Sequence, residues 1–279
     1  MELKKWFTSP FEDYELIDAG GGKKLERWGA IYTIRPEVQA YFKSGMSFAS
    51  WENYNPLHFE EKGKQSGFWS KNQPAWNIYF GSLQFLLETT KFKHLGLFPE
   101  QEINWQYIQN HLQAGDKFLN MFAYTGAASI VAREREAIVT HVDSVKQLIS
   151  WAKNNMEVNH LQDIKWVHED ALKFAEREVK RGNTYKGVLM DPPAWGIGAK
   201  GEKWKIENKL ESLLETAYNL LDEGGFLILN TYSPRVSLED MTQFASRYFS
   251  PSGLEAGELW AKTTTGKELF YGHLLRATK

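Results

Sequence analysis

From about residue 115 onward, short apolar runs alternate with amphipathic stretches, and few folds accommodate such a chain. Strands linked through helices lie parallel, and those helices cover the sheet they form. Residues 117–123 read as a first strand, 127–136 as a helix and 137–143 as a second strand. A second helix is expected over 144–158, with Ser144 placed to cap it. Residues 164–168 read as a third strand, 171–181 as a charged helix, and 187–190 as a fourth strand that stops at Asp191-Pro192-Pro193. Helix 210–221 is expected to close at Gly224-Gly225, before a fifth strand at 226–230. Residues 254–261 and 269–277 flank Thr263-Thr264-Thr265-Gly266-Lys267, which predicts a long hairpin and an antiparallel edge on the parallel sheet.

The first 90 residues are of another kind, aromatic and rich in turns. Tyr14-Glu15-Leu16-Ile17-Asp18 alternates, Ala19-Gly20-Gly21-Gly22 breaks the pattern, and β-prone residues resume from Leu25 to Ile34 before Pro36. A small β domain built on hairpins is expected. No amphipathic helix follows the three glycines, so they are read as a turn and not as a phosphate cradle. Trp51, Trp69 and Trp76 are expected to supply a satellite core. Charge does not distinguish the two halves. The net charge is -2, from 33 basic and 35 acidic residues, so any contact with nucleic acid has to come from a local patch. There are 0 cysteines, which removes disulfides, thiolate metal sites and thiol nucleophiles from consideration. With no signal segment and no long apolar run, a soluble, cytoplasmic protein without a membrane partner is expected. The seven His show no metal-ligand spacing, so no metal is assigned.

Carboxylates mark the chemistry. Asp143, Asp170 and Asp191 each fall just past the C-terminal end of a predicted strand, where open α/β sheets bind ligands. Phe122-Ala123-Tyr124-Thr125-Gly126-Ala127 makes a tight strand-to-helix corner at which a ligand can approach backbone N–H groups. Asp143 stands 17 positions after Gly126, near the offset at which an acid grips a ribose diol. A lone glycine flanked by Thr125 and Ala127 leaves little room for pyrophosphate, which favours a nucleoside over a dinucleotide. For each acid taken singly, a helix cap or a solvated turn is the alternative.

Taken together, Phe118-Leu119-Asn120-Met121-Phe122-Ala123-Tyr124-Thr125-Gly126, His141-Val142-Asp143-Ser144, Glu169-Asp170-Ala171 and Asp191-Pro192-Pro193-Ala194-Trp195 resemble class I S-adenosylmethionine-dependent methyltransferases. The resemblance is to the bacterial group that contains large-subunit ribosomal RNA methyltransferases acting at cytosine C5 or guanine N7. His94-Leu95-Gly96-Leu97-Phe98-Pro99-Glu100-Gln101 is similar to the segment covering the cofactor in that group, and Ala152, Asn155, Asn159 and Leu161 match its second helix. The resemblance covers roughly residues 80 to 279. It implies a Rossmann-like, seven-stranded, mostly parallel α/β sheet with an antiparallel C-terminal hairpin in residues 91–279, behind a β-rich domain of residues 1–90.

The same resemblance implies site residues. Phe122, Tyr124, Thr125 and Gly126 would line the methionine part of S-adenosylmethionine, with Asp143 on the ribose hydroxyls beside Ser144. Asp170 would meet the adenine amine, Ala171 would offer its backbone, and Phe98 and Gln101 would close the site. Asp191, Pro192, Pro193 and Trp195 would form the catalytic turn, with Asp191 also completing the set of acceptors for the cofactor. Methyl transfer from a sulfonium is an in-line displacement, so this turn has chiefly to align a nucleophile, with Trp195 able to stack on a flipped base. Without a thiol, cytosine C5 chemistry through a covalent adduct is excluded. Ala194 also stands where amino methyltransferases of nucleic acids usually carry an aromatic. Lys200, Lys203, Lys205 and Lys209, with Trp204, form the one basic and aromatic stretch adjoining the motif, diluted by Glu202 and Glu207. Methylation of ribosomal RNA at a base nitrogen is the expected function. A small-molecule or protein methyltransferase, or a nucleoside-binding protein without activity, are the alternatives, and the oligomeric state is left open.

Overall fold

The computed structural model describes residues 4–63, 66–197 and 203–279. The chain divides into two compact units, one formed by Met1–Trp6, Asn104–Glu258 and Gly272–Lys279, the other by Phe7–Ile103 and Leu259–Tyr271.

After strand β1 (Lys4–Thr8), the smaller unit builds β2 (Tyr14–Gly20), β3 (Lys23–Trp28), β4 (Ile31–Pro36), the short helix α1 (Phe48–Trp51), β5 (Leu57–Lys62) and β6 (Ser66–Trp69). β2 to β6 form a sheet in sequence order, and β7 (Trp76–Phe80) pairs with β8 (Leu83–Leu87) as a separate hairpin. The three glycines form the expected turn: Gly20 pairs with Lys23 across Gly21 and Gly22, whose φ values of 56° and 80° suit a two-residue hairpin turn. Trp28 and Trp51 are fully buried, whereas Trp69 and Trp76 are only half-buried.

The larger unit contains α2 (Glu102–His111), β9 (Lys117–Met121), α3 (Ala127–Glu134), β10 (Ile138–Asp143), α4 (Lys146–Val158), β11 (Ile164–His168), α5 (Ala171–Lys180) and β12 (Tyr185–Met190). A ribbon of β13 (Trp195–Ile197) and β14 (Lys203–Lys205) precedes α6 (Leu210–Leu220), β15 (Leu221–Thr231) and α7 (Leu238–Ala245). β16 (Leu254–Lys262) and β17 (Glu268–Thr278) complete the chain. Among the described residues the main sheet runs β11-β10-β9-β12-β15-β17-β16-β1. The first five of these strands are parallel and β17 is antiparallel to β15. The seven expected strands are present, and β1 adds an eighth at the edge. Leu119, Met121, Val142, Val188, Met190, Leu227 and Leu229 pack against Leu213, Leu214 and Ala217 of α6 in one apolar core. Among the described residues no helix is long and apolar enough to cross a membrane.

Two local expectations are corrected. Ser144 does not cap α4: the cap position falls one residue later on Val145, whose side chain has no acceptor, while the Asp143 carboxylate accepts the Val145 N–H at 2.8 Å. The Gly224-Gly225 pair does not simply close α6. β15 starts directly at Leu221, and the glycines form a bulge between the Tyr185–Leu221 and Gly187–Phe226 pairs.

Candidate active site

The strand order reverses at β9. The chain leaves it to add β10 and β11 on one side and returns to place β12 on the other. Crevices at such switch points, beyond the C-terminal strand ends, are where doubly wound sheets bind ligands. Met121 pairs with both Val142 and Met190, so Phe122, Asp143 and Asp191 all leave the sheet at one level. The Asp143–His168 pair then brings Glu169 and Asp170 to the same rim.

The corner after β9 is unusually bent. Phe122 and Tyr124 adopt φ values of 57° and 51°, the left-handed region that L side chains avoid and that recurs at functional sites. Gly126 follows at φ 87°, and a Cβ there would stand 2.9 Å from Ala152 Cβ, so glycine allows this corner to close against α4. Two buried side chains brace it. Asn155 Nδ2 donates to the Thr125 carbonyl at 2.9 Å, and Asp143 Oδ2 accepts the Tyr124 N–H at 2.9 Å. Behind α3, Asn120 Nδ2 donates to Ser129 Oγ at 2.9 Å and Ser129 lies 3.0 Å from His141 Nδ1. Burial pushes His141 down to about 3, so the ring stays neutral under this corner.

Asp143 is buried, and that burial raises its carboxyl above the ordinary range although the Val145, Tyr124 and Ser144 N–H groups pull it back. Three N–H groups take three of its roughly four acceptor sites, which leaves one for a further donor such as a ribose hydroxyl. Asp170 is the N-cap of α5, its Oδ1 accepting the Lys173 N–H at 2.9 Å. The cap, anticipated as the alternative for a single acid, coexists here with a position on the rim. Ala171 is the first residue of α5, and Ser144 is exposed beside Asp143. Phe98 precedes the short turn Pro99–Gln101 of the smaller unit, where Gln101 is buried.

Asp191 is half-buried at the end of β12, Pro192 is buried and Pro193 exposed. The stretch after them is a ribbon: Trp195 pairs with Lys205 and Gly196 with Trp204. Trp195 is 48% exposed, so its ring is not a core aromatic. Trp204, by contrast, turns inward. Its Nε1 donates to the Pro193 carbonyl at 2.7 Å and its ring sits 5.2 Å from that of Phe122. Trp204 thus ties the Pro193 turn to the β9 corner. Lys203 and Lys209 are exposed and Lys205 is half-buried, while Lys200 and Glu202 lie outside the described residues. Glu207 pairs with Arg235 at 3.1 Å. Among the described residues no group of acids and histidines fits a metal ion.

Asn120, Ser129 and His141 were not anticipated as a bracing chain, and Asn155 only as part of a pattern. The signal for Asn155 is a polar residue between buried Ala152 and the end of α4, on the helix's apolar side.

A switch-point crevice ringed by three carboxylates, with a bent corner and no glycine-rich phosphate cradle, defines a nucleoside-dependent enzyme of the doubly wound class. A sequence model of the S-adenosylmethionine-dependent methyltransferases matches residues 49–250, and the chain belongs to that family. A crystal structure of such a methyltransferase from Agrobacterium tumefaciens is 33% identical, with a TM-score of 0.92 over 100% of this chain and 94% of that one. A second, from Streptococcus mutans, shares the fold at 17% identity, with a TM-score of 0.77 over 97% of this chain and 76% of that one. The ribosomal RNA large subunit methyltransferase K/L of Pseudoalteromonas atlantica is 28% identical over 185 residues, 65% of this chain and 26% of that protein. The chain thus spans about a quarter of the length of that curated relative. S-adenosylmethionine is the family's cofactor, and the acceptor set here, carboxylates facing hydroxyl and amine donors with no glycine-rich phosphate cradle, fits it.

Asp143→Ala is expected to weaken S-adenosylhomocysteine binding by about 1 to 3 kcal/mol, because the ribose hydroxyls lose an acceptor. Calorimetry checks this, with NAD and ATP as ligands that should not bind. An unchanged affinity would remove Asp143 from the site.

Proposed function

We propose that the protein transfers a methyl group to a base nitrogen of ribosomal RNA. The observation that carries this reading is the turn Asp191-Pro192-Pro193-Ala194-Trp195, which leaves the sheet beside the β9 corner with an exposed indole at its end. The curated relatives named as large-subunit ribosomal RNA methyltransferases support the substrate. Residues 91–279 are the methyltransferase part and residues 1–90 an accessory part, in a cytoplasmic enzyme.

When bound, S-adenosylmethionine supplies a methyl on a positively charged sulfur. In this reading Asp143 holds the ribose diol, Asp170 takes the adenine amine on the oxygen its cap bond leaves over, and the Ala171 N–H faces the ring. Phe122, Tyr124, Thr125 and Gly126 lie along the methionine, with Phe98 and Gln101 as cover and Ser144 beside the ribose. Pro192 and Pro193 lack N–H donors, so the turn presents acceptors only: carbonyls and the Asp191 carboxylate. These orient an amine or ring nitrogen and accept its proton, while Trp195 stacks on the base.

The test incubates the protein with methyl-labelled cofactor and fractionated lysate, then follows the label. Label in ribosomal RNA, released by digestion as an N-methyl nucleoside, supports the reading. RNA carrying 5-fluorocytosine should trap no covalent adduct, because the chain has 0 cysteines. Trp195→Ala should cost about 1 to 3 kcal/mol of base contact, expressed as lost turnover without a lower melting temperature. Label appearing only in protein or in small molecules would overturn the substrate.

A further inference from the structure

We propose that the smaller unit carries a docking surface for single-stranded RNA around its triple-glycine turn. The proposal rests on the RNA reading above and adds a place where the strand is held.

Segment 37–48 folds back over this turn. Gly21 N–H donates to the Phe42 carbonyl and Gly22 N–H to the Ala40 carbonyl, each at 2.8 Å, and Glu37 N–H returns to the Gly22 carbonyl at 2.8 Å. The approach is close enough that a Cβ on Gly20 would stand 2.2 Å from Ser44 N, and one on Gly21 would stand 2.7 Å from Phe48 Cζ. Asp18 fixes the far end of the segment, accepting the Gly45 and Met46 N–H groups at 2.9 and 2.7 Å and Trp51 Nε1 at 2.9 Å. The backbone is therefore braced, yet three of its apolar side chains are exposed, while Phe42 and Met46 are half-buried. Tyr41 is 84% exposed, Val38 80% and Phe48 48%.

Within segment 38–48 and the turn beneath it, the exposed charges are lysines. Lys23 and Lys43 are both exposed, and Lys23 Nζ lies 5.9 Å from the Phe48 ring centroid. Between residues 38 and 48 the sequence has no acid. Glu37, at its edge, is drawn to the buried Lys24 at 3.6 Å. Among the described residues neither exposed lysine is held in an ion pair. Flat rings interleaved with free cations on a pre-ordered backbone match the alternation of base and phosphate in a single strand.

The test uses the full chain and a short fluorescein-labelled oligouridine, followed by fluorescence anisotropy. Tyr41→Ala should weaken binding roughly 5- to 100-fold, as loss of one base stack does. Replacing Lys23 and Lys43 together with Gln should flatten the dependence of log affinity on log salt by about 0.7 for each phosphate no longer neutralised. Neither change should move the melting temperature or S-adenosylhomocysteine affinity, since all three side chains are exposed. Wild-type affinity in both variants would overturn the docking surface, as would displacement by polyglutamate in place of RNA. Methyl transfer to ribosomal RNA, measured on the same preparations, separates the two readings. Transfer with unchanged oligouridine binding in the variants sinks the surface alone, and variant-dependent binding without transfer to RNA sinks the substrate assignment alone.

Discussion

Replacing Asp191 with Ala should reduce methyl transfer by on the order of 10³-fold while leaving the protein folded and able to bind cofactor. The fold should persist because the side chain is only half-buried, at a strand end beyond the apolar layer that Val188 and Met190 enter. Cofactor affinity should fall much less than turnover, because in the proposed reading the ribose and adenine acceptors are Asp143 and Asp170, on other elements. Turnover depends on an acceptor facing the incoming nitrogen, and the two prolines contribute only carbonyls. Asp191→Asn keeps a carbonyl acceptor but loses the charge, so partial recovery would assign the role to orientation, and no recovery to the proton. Turnover, calorimetric affinity and melting measured together decide this, and a fully active Asp191→Ala enzyme would remove the turn from the chemistry.

Arg35→Ala should cost about 3 to 5 kcal/mol of stability. Glu26 is fully buried in the smaller unit, with its two oxygens gripped at 2.7 Å by Arg35 Nε and Nη2. Tyr14 donates to it at 3.0 Å, and Lys24 stands 3.3 Å away. Removing the guanidinium leaves a buried carboxylate with too few partners. In a chain of this size the melting temperature should fall by roughly 10 °C. Burial alone would raise the Glu26 carboxyl, but Arg35, Lys24 and the Tyr14 bond together hold it at about 2. A carboxyl depressed in the folded state stabilises fully above its unfolded value, and that contribution, about 3 kcal/mol, is lost as pH falls toward 2. His94 acts in the same direction. Burial and the nearby Arg35, Lys93 and Lys24 cations push it down to about 3, so the unfolded chain takes up a proton first as pH drops below about 6.5. Thermal melts across pH 3 to 8 should therefore show stability falling on the acid side, and a flat profile there would contradict the burial of both groups.

Much of the larger unit was legible because the chain switches between two hydrophobic periods. β9 to β12 stand where apolar runs were read, β10 to β12 each running into one of Asp143, Asp170 and Asp191, and the switch point follows from their order. The triple glycine was legible for a similar reason, since few other residues tolerate that turn. What escaped detection depends on contacts far apart in sequence. β1 reads Lys-Lys-Trp-Phe-Thr, without clear alternation, and finds its partner in β16 at the other end of the chain. Phe122 and Tyr124 have no local reason to be left-handed, and the bend is held by the Asp143 and Asn155 bonds from other elements. Trp204 looked like part of a basic loop because its bond to Pro193 spans 11 positions, too far for a local pattern to reveal.

The place of β1 beside β16 also fixes the order in which the protein can be completed as it is made. β1 must wait for residues beyond Leu254 before its edge is covered. At about 5 to 20 residues per second, that wait lasts roughly 10 to 50 seconds. During it, Trp6 and Phe7 travel on a tethered, unpaired segment, the kind of exposed strand that chaperones at the exit tunnel bind. Completion of this edge thus waits on β16, and the segments that build it come from opposite ends of the sheet's sequence.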